Sequence, residues 1–426
     1  MLDTILSFLR RSTVAAWEVE DVITDGWEFY FIRHALDQNR VKHVEHISVK
    51  VFHLSDDGET MGFASCEIPP TASEEDAEAL INSLAYRASL VKNKPFTLHK
   101  PDLAAGSSCP SINLENAAGA FLRTMRDVPE TLEEDINSYE IFVSSRKRRF
   151  LNSEGIDIEE VYPDSMVEVV VNARRSGREI ELYRNFKSGT CDDVSLRRGL
   201  LHAMQTGRDR LVAEPTPALG KADVLFSTAD SREIYSYFVD RLNTAFVYRK
   251  MSDWQLGQSI CPSFGGDRLS ISAVRELPNS SANRIYDTEG AMIHDVLLLE
   301  NGVARHYIGN RMFSSYLGLE DTFVPTNFAV SGGTWSEAEL RHGPLLEVVE
   351  FSDFQVDAVT GDIFGEIRLA YWNDGEKTVP VTGGSISGSM LTLVGNMFLS
   401  TETVQYNNWV VPSATLLKGV TVTGIA

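Results

Sequence analysis

The sequence predicts an α+β protein, with N-terminal α/β layers in which helices pack on antiparallel strands, and a mostly antiparallel β C-terminal domain. Three observations support this class. Strand-like runs alternate with helical spacing in the first half, turn signals separate the strands, and short β runs divided by glycine follow Lys221. A chain of 426 residues is too long for one core, so we expect three units: residues 1–100, 101–217 and 218–426.

The first unit is predicted to be a β-hairpin covered by a helix. Residues 44–67 form two β-rich runs around the turn sequence SDDG. Two residue pairs can cap the helix that follows: Ser73 with Asp76, or Thr71 with Glu74. The apolar positions of this helix recur every three or four residues, at Ala77, Leu80, Ile81, Leu84, Ala88 and Val91. One helix face is therefore expected to pack on the hairpin.

The second unit is predicted to combine two helices with an antiparallel sheet. It follows a long loop over residues 94–113, which is rich in proline, glycine and small polar residues. Helices are expected over residues 114–126 and 194–213, and strands over 138–145, 165–173 and 179–186. The turn sequences SEG and RSG join the strands antiparallel, and the sequence EPTP at 214–217 marks the boundary.

The third unit opens with the stretch KADVLFSTADSREIYSYFVDRL, which predicts a strand, a turn and a helix over Ser231 to Asp240. Many enzymes carry a catalytic or phosphate-binding residue at such a helix start. This stretch nevertheless contains no histidine, no cysteine and no glycine-rich loop. The strand and helix are expected to be embedded in an antiparallel β domain with frequent glycine turns.

Charge and composition exclude several classes of partner. The net charge of −21, from 60 acidic and 39 basic residues, repels polyphosphates and anionic lipid surfaces, so no nucleic acid partner is expected. The basic cluster Arg146-Lys147-Arg148-Arg149 is interpreted as a solvated face or a turn. No apolar run reaches the ~18 residues of a membrane span, and the N-terminus lacks a signal-peptide pattern. A cytoplasmic location and no membrane association are therefore expected.

The cysteines and the first histidine pair do not indicate a metal site. Cysteines stand at scattered positions without metal-ligand spacing, and they are interpreted as reduced thiols: Cys66, Cys109, Cys191 and Cys261. His43 and His46 would share a helix face, but the surrounding run VKHVEHISVKVF is β-branched. In a strand, His43 and Glu45 point to one face and His46 to the other, which predicts surface histidines.

A second histidine pair flanks Asn301-Gly302, the strongest short hairpin signal in the chain. A two-residue loop there places His306 opposite Leu297 on the neighbouring strand. His294 lies three residues from Leu297 and so points to the other face. His294 and His306 cannot share one metal ion in that register.

Known catalytic patterns are also missing. The sequence GSISG at 384–388 comes nearest to a nucleophile elbow but has the wrong spacing, and no phosphate loop precedes a helix. Asp287 and Glu289, two residues apart before Gly290, can line a site if the segment presents both. An Asx-type turn that leads into the hairpin explains the same residues equally well.

The most informative stretch after Ala222 is the run YDTEGAMIHDVLLLENGVARHYIGNRMFSSYLGL. This run resembles a stretch of the TldD/PmbA family, once called modulators of DNA gyrase and now regarded as components of a cytoplasmic metalloprotease. Further matches follow in family order: PTN at 325–327, Gly332-Gly333, Ser336, VTGDIF at 359–364, Pro380-Val381, Gly388 and VPS at 411–413. The resemblance is specific over the C-terminal half and weak over the first half.

The resemblance also implies what this chain has lost. In the TldD-like subunit, the helix after the first strand carries a His-Glu-x-x-x-His motif whose histidines bind the metal, and a cysteine near the C-terminus adds a ligand. An ungapped count back from Gly257 places Glu233 and Phe238 at the histidine positions, and residues 382–389 contain no cysteine. The chain therefore resembles the PmbA (TldE) type, which lacks metal ligands, so no cofactor is expected. We expect that the helix is nevertheless retained, because its apolar residues are needed for packing: Ile234, Phe238 and Leu242.

From this resemblance we expect a non-catalytic subunit that pairs with a TldD-like metalloprotease subunit, or with a second copy, and binds an unfolded peptide substrate. Five motif residues are candidates for peptide contact: Asp287, Glu289, Asn327, Gly332 and Gly333. Two alternatives stay open. One is an autonomous peptidase with a rebuilt site, in which His294 or His306 acts with Asp287 and Glu289. The other is a structural or regulatory homodimer.

Overall fold

The computed structural model describes residues 1–101 and 112–425. It confirms the predicted α+β class: an N-terminal sheet carries helices, and a β-rich domain follows. Cys109 and much of the predicted loop over residues 94–113 lie outside the described residues. The other three cysteines are free thiols. Within the described parts of the chain, no helix is both long and apolar enough to cross a membrane.

The N-terminal half forms one six-stranded antiparallel sheet with the spatial order β3-β2-β1-β4-β5-β6. Its strands are β1 (Ala16–Ile32), β2 (Ala35–Leu54), β3 (Met61–Ile68), β4 (Glu134–Asn152), β5 (Asp157–Arg175) and β6 (Arg178–Ser188). Its helices are α1 (Leu2–Arg11), α2 (Glu74–Ser89), α3 (Leu114–Arg126) and α4 (Asp193–Val212). Because β1 pairs with both β2 and β4, the sheet continues across the expected boundary at residue 100. The division into three units itself stays a prediction.

The helices all cover one face of this sheet. Helices α1 and α2 pack on β1, β2 and β3, while α3 and α4 pack on β4, β5 and β6. The predicted cap of α2 is present, since Ser73 accepts a hydrogen bond from the backbone N–H of Asp76 at 3.1 Å. Helix α1 was not predicted, although Ile5, Leu6 and Leu9 are buried against the sheet at helical spacing.

The basic cluster at 146–149 was predicted to be a solvated face or a turn; it is not a turn, and three of its residues lie on solvated surface while Arg148 is buried. All four residues lie inside β4 and pair with acidic residues of neighbouring strands. Arg148 is only 6% exposed and bonds to Glu20 at 2.6 Å and to Glu160 at 3.0 Å. The pairing of neighbouring strands brings these charges together, and a local sequence pattern does not show which residues will pair.

One edge of the N-terminal sheet is open. Strand β2 pairs with β1 over nearly its whole length, but β3 pairs only with its second part, from Ile47 to Leu54. Among the described residues, no strand lies beside the outer edge of Ala35–His46. Most side chains of this segment are exposed, and Val41 is 79% exposed.

The C-terminal domain contains two sheets and five short helices within the described residues. Its first elements are β7 (Glu214–Pro215), β8 (Gly220–Phe226), α5 (Ser231–Arg241), α6 (Thr244–Tyr248), β9 (Ile271–Val274), β10 (Val296–Glu300), β11 (Val303–Ala304), α7 (Arg311–Tyr316), β12 (Asn327–Val330) and α8 (Glu337–Leu340). The rest are β13 (Leu345–Val356), β14 (Asp362–Asn373), β15 (Thr378–Thr382), β16 (Ser385–Ser389), α9 (Met390–Leu393), β17 (Met397–Leu399), β18 (Thr403–Tyr406), β19 (Trp409–Pro412) and β20 (Thr415–Thr423).

The larger of these sheets closes on itself. Its order is β13-β8-β20-β16-β14-β15-β7, and β13 also pairs with β14, so five strands form a ring. The smaller sheet has the order β11-β10-β9-β12-β19-β18. Strand β8 and helix α5 confirm the predicted strand and helix at the start of the domain. The domain has its own hydrophobic core, distinct from the two cores of the N-terminal sheet.

The predicted hairpin at Asn301-Gly302 forms, and both residues have positive φ angles of 50° and 75°. The paired segment is shorter than expected, because it ends at Leu299 opposite Ala304. The predicted pairing of Leu297 with His306 is wrong. The backbone N–H of His306 points instead to the carbonyl of Leu298 at 3.4 Å.

Candidate functional site

Helix α5 is held by a buried apolar face, as the sequence predicts. Ile234, Phe238 and Leu242 are each 0% exposed and belong to the core of the C-terminal domain. The ring centroid of Phe238 lies 5.3 Å from that of Tyr237 and 6.0 Å from that of Trp254. Aromatic contacts at these distances stabilise the packing, so the helix is anchored by this ring.

The two positions that correspond to metal-binding histidines do not converge. Glu233 is exposed, whereas Phe238 is fully buried. Five residues turn a helix through about 140° beyond a full turn, which explains why the two side chains point to different faces. A phenyl ring offers no donor atom to a metal ion. The residues at these positions therefore do not fit the ion that the family resemblance implies.

The glycine-rich segment that would supply a third ligand is a tight connection between β15 and β16. Gly383 and Gly384 have φ angles of 81° and 77°, which favour glycine. A Cβ atom at Gly384 would lie 2.2 Å from the carbonyl oxygen of Thr423 in β20. Over the described ranges, no group of three or more His, Cys, Asp and Glu side chains is arranged to hold a metal ion.

The start of α5 lies near a charged contact between the two halves. Asp230 precedes the helix, makes no side-chain cap, and has its pKa raised by burial. On the N-terminal side, Arg184 of β6 donates to Glu350 of β13 at 3.1 Å. Ser227, in the turn between β8 and α5, donates to Glu347 at 2.6 Å. The ion pair between Arg184 and Glu350 thus joins the two halves near the start of the helix.

Asp287 adopts the Asx-type arrangement that the sequence left open. It is 3% exposed, and its carboxylate accepts hydrogen bonds from three backbone N–H groups, those of Glu289 at 2.8 Å, Ala291 at 2.9 Å and Val324 at 2.8 Å. Burial raises its pKa, while the three amides act in the opposite direction. Its side chain holds two loops together.

Glu289 and Asn327 also have internal partners. Glu289 is partly exposed, and its carboxylate accepts the backbone N–H of Arg311 at the start of α7, at 2.6 Å. Asn327 is 0% exposed; it accepts from Ser280 at 2.7 Å and donates to the carbonyl of Arg275 at 3.1 Å. These contacts are structural, and any contact with a peptide stays a prediction.

Gly332 and Gly333 lie where two backbone segments come close. A Cβ atom at Gly332 would lie 2.5 Å from the carbonyl oxygen of Thr401, and one at Gly333 would lie 2.4 Å from that of Leu399. The backbone N–H of Gly333 donates to Ser400 at 2.8 Å. Both positions require glycine for space, and Gly332 is exposed at the surface.

The histidines singled out from the sequence lie apart from one another. His43 and His46 are exposed on β2, as predicted, and bond to Asp25 at 2.6 Å and Glu67 at 2.7 Å. His294 packs on Phe323 and lies 3.9 Å from Asp321, while His306 is exposed. In the described structure, neither His294 nor His306 bonds to Asp287 or Glu289.

A buried charge cluster between the two halves was not predicted from the sequence. Arg148 of β4 donates to the carbonyl of Asp287 at 2.8 Å, and Glu160 of β5 accepts the backbone N–H of Ile285 at 3.0 Å. Nearby, Glu18 is 7% exposed, and burial raises its pKa to about 7. The only local signal was the run of basic residues, and the contacts of Arg148 with Glu20 and with the carbonyl of Asp287 span 128 and 139 positions.

Over its C-terminal domain, the chain resembles metallopeptidase-related proteins of the PmbA/TldD type. Residues 219–424 match the family model of the PmbA/TldA metallopeptidase C-terminal domain. The predicted resemblance to the TldD/PmbA family is confirmed over this range. A metalloprotease PmbA homolog of Haemophilus influenzae is 26% identical over an alignment of 214 residues, and the match covers 47% of this chain and 46% of that relative. The match thus spans less than half of the length of the curated relative.

Solved structures share the fold along the whole chain. TldE from Thermococcus kodakarensis has a TM-score of 0.79 at 13% identity, and the match covers 100% of both chains. A Thermotoga maritima protein named as a modulator of a DNA gyrase has a TM-score of 0.76 at 16% identity, covering 99% of both chains. A similarly named protein of Bacteroides thetaiotaomicron has a TM-score of 0.77 at 16% identity, covering 99% of this chain and 98% of its own. At these identities the similarity shows the fold alone.

Proposed function

We propose that this chain is a non-catalytic, PmbA/TldE-like subunit of a TldD/PmbA-type protease that acts on unfolded peptides. The observation that carries the proposal is Phe238, which is buried in the core at a position where the catalytic type has a metal-binding histidine. Glu233 on the opposite face leaves a single carboxylate, which is a weak metal site. In this proposal the metal and the bond cleavage belong to a TldD-like partner, and this chain helps to hold the substrate.

In this proposal, main-chain groups of the chain contribute more to substrate binding than side chains do. Of the five candidate residues, Asp287 and Asn327 are buried and bonded internally. Glu289, Gly332 and Gly333 are the candidates with exposed surface. An extended peptide that adds to a strand edge gains main-chain hydrogen bonds, which tolerate many sequences. We therefore place substrate binding at an open edge or groove of the sheets.

The test is a degradation assay with an unfolded peptide. The chain alone is expected to leave the peptide intact, and the chain mixed with a TldD-like partner is expected to degrade it. Metal analysis of chain purified without added metal is expected to find well below one ion per chain. Robust cleavage by the chain alone that a chelator abolishes would contradict the proposal.

A substitution at the metal-ligand positions separates this proposal from the autonomous peptidase. Under the proposal, Glu233→Gln leaves the degradation by the mixed proteins unchanged, because the exposed carboxylate binds no ion. The rebuilt-site alternative requires His294 or His306, so His294→Ala and His306→Ala serve as the matched pair. Loss of activity in either histidine variant of the chain alone would favour that alternative. A stable second-copy complex with no effect on a TldD-like partner would favour the regulatory homodimer.

A further inference from the structure

Residues 285–291 of the C-terminal domain, here called the junction loop, pack directly on the N-terminal sheet. Arg148 of β4 donates to the carbonyl of Asp287 at 2.8 Å. A Cβ atom added at Gly290 would lie 2.8 Å from a ring carbon of Phe150, which also belongs to β4. The junction loop is therefore in close contact with this strand.

Glu18 of β1 lies beneath the junction loop. It is paired with Asn152 of β4, two residues from Phe150, and side chains two residues apart share one face of a strand. That face is opposite the helices, because the neighbouring Val19 belongs to the core that α1 and α2 cover. Glu18 is only 7% exposed, and its carboxylate lies 3.0 Å from the amino group of Lys50 on β2. The junction loop thus covers a charged pair of the sheet.

The junction loop brings two more carboxylates towards this pair, those of Asp287 and Glu289. Asp287 is 3% exposed and accepts three backbone N–H groups, whereas Glu289 accepts the backbone N–H of Arg311 at 2.6 Å. Within the described residues, neither of the two carboxylates forms an ion pair with a side chain. Lys50 is therefore the one cation that Glu18 contacts, and the two added carboxylates oppose the ionisation of Glu18.

The other fixed cations of the junction already have acidic partners. Arg148 bonds to Glu20 at 2.6 Å, and Arg311 bonds to Glu320 at 3.1 Å. Burial lowers the pKa of His99, so this side chain adds no charge at neutral pH. The charged and titratable groups around Glu18 are Glu20, Lys50, His99, Arg148, Glu160, Asp287, Glu289, Arg311 and Glu320. Carboxylates outnumber cations in this set, so ionised Glu18 adds to an excess of negative charge.

We propose that the junction loop and the sheet form a pH-sensitive latch, which is closed while Glu18 is protonated and opens as Glu18 ionises against Asp287 and Glu289. This proposal is independent of the peptide-binding function proposed above. In the closed form, burial is the main cause that raises the pKa of Glu18 from 4.5 to about 7. Opening returns the side chain to water and to its ordinary pKa. The closed form therefore holds the proton more tightly, and it is weakened as the pH rises through about 7.

Hydrogen exchange of the full chain, followed by mass spectrometry, tests the latch. Exchange rates at about pH 6 and about pH 8 are corrected for the intrinsic effect of pH on amide exchange. A rise in pKa from 4.5 to about 7 makes the open form about tenfold more populated at the higher pH. Peptides that cover 285–291 are therefore expected to lose about tenfold in protection. They are also expected to be less protected than peptides of β14 at both pH values, because the latch opens without unfolding of the closed sheet.

Three variants locate the effect. In Glu18→Gln the side chain stays neutral, so the protection of the junction loop is expected to be equal at the two pH values. Glu289→Gln removes one facing carboxylate but keeps an oxygen that accepts the amide of Arg311, so its loss of protection is expected to be smaller than that of the wild type. Glu59→Gln removes the same charge from an exposed turn and is expected to keep the full loss.

Three results would overturn the proposal. The first is protection of the junction loop that does not change with pH in the wild type. The second is an undiminished loss in Glu18→Gln or Glu289→Gln, or a missing loss in Glu59→Gln, since another group or the overall charge is then responsible. The third is equal protection of the junction loop and β14 at both pH values, which means that the loop opens only when the domain unfolds. If Glu18→Gln does not fold, the wild type and Glu289→Gln still decide the outcome.

Discussion

At the scale of single residues, Phe238 shows how a side chain can keep a helix in place without taking part in chemistry. Its ring is fully buried between Tyr237 and Trp254, so the helix depends on it for packing. An imidazole at this position would bring a polar group into an apolar environment, which costs free energy unless it finds a hydrogen bond. The packing role and a metal-binding role are therefore in conflict at this site.

Truncation of this ring tests its role in packing. Phe238→Ala is expected to lower the free energy of unfolding by about 3–5 kcal/mol, because it removes buried surface and leaves a cavity. Phe364→Ala serves as the control, since Phe364 is 40% exposed, and its effect is expected to stay within about 1 kcal/mol. Urea denaturation monitored by circular dichroism measures both. Similar losses in the two variants would contradict the packing argument.

Glu18 is a residue whose titration affects stability. Burial, strengthened by nearby Glu289 and opposed by Lys50, raises its pKa from 4.5 to about 7. The folded protein therefore holds the proton more tightly than the unfolded chain. The stabilisation is complete below about pH 4.5 and is lost as the pH rises through about 7. The difference in pKa corresponds to roughly 3 kcal/mol.

Glu18→Gln is expected to remove this dependence. Relative to the wild type, the variant should gain up to about 3 kcal/mol between about pH 4 and about pH 8, because the neutral amide needs no proton. Melting temperatures measured across this range provide the test, and Glu59→Gln in an exposed turn is the matched control. Parallel curves for wild type and Glu18→Gln would show that Glu18 does not titrate in this range.

At the scale of secondary-structure elements, strand β4 shows that a run of like charges can be an internal strand. Consecutive residues point to opposite faces of the sheet, so the four basic residues reach different partners. Arg146, Lys147 and Arg149 pair with acidic residues of β5 at the surface, while Arg148 is buried. Exposed pairs of this kind contribute little, but a buried charge that loses its partner is costly.

Neighbouring arginines in β4 make a matched test. Arg148→Ala leaves Glu160 buried without its partner and is expected to cost about 3–5 kcal/mol. Arg149→Ala breaks an ion pair whose side chains are 36% and 52% exposed, and is expected to cost at most about 1 kcal/mol. Chemical denaturation of both variants gives the comparison. A small effect at Arg148 would mean that water or another group replaces the lost pairing.

Elements with strong local signals were predictable from the sequence, while contacts between distant elements were not. The helix over 114–126 and the cap at Ser73 were predicted correctly, because spacing and caps are local properties. Strand β1 was missed, since its acidic residues and Gly26 interrupt a β-rich pattern. The ion pair between the buried Arg148 and the partly exposed Glu20 spans 128 positions, which no local pattern reveals. At the candidate site, the burial of Phe238 was predictable, but the bond from Val324 to Asp287 was not.

At the scale of the whole molecule, the two halves have separate hydrophobic cores and are joined by hydrogen bonds and by ring contacts such as that between Phe96 and Tyr316. Arg148 and Glu160 of the N-terminal sheet bond to the backbone around Asp287 in the C-terminal domain. Arg311 of α7 donates to the carbonyl of Thr97 at 3.0 Å. Separate cores joined by such contacts favour independent unfolding of the halves, with the contact region as the coupling between them.

A charge placed in the C-terminal core tests this independence. Val420 in β20 is 0% exposed, and Val420→Asp is expected to unfold the C-terminal domain, at a cost above about 4 kcal/mol. Lys418→Ala in the same strand, where the side chain is 48% exposed, is the control. Limited proteolysis followed by mass spectrometry should leave a protected fragment of the N-terminal half. Complete digestion of the Val420→Asp protein would show that the halves fold as one unit.

The position of β20 in the closed sheet determines how late in synthesis the C-terminal domain can complete its fold. Strand β20 lies between β8 and β16, so residues from both ends of the C-terminal domain must meet before the ring is complete. All six strands of the N-terminal sheet are available once residue 188 has left the ribosome, whereas the ring waits for residue 423. At typical translation rates this interval lasts about 10–50 s. During that time the unpaired β8 and the apolar face of α5 stay exposed on the nascent chain, where chaperones can bind them.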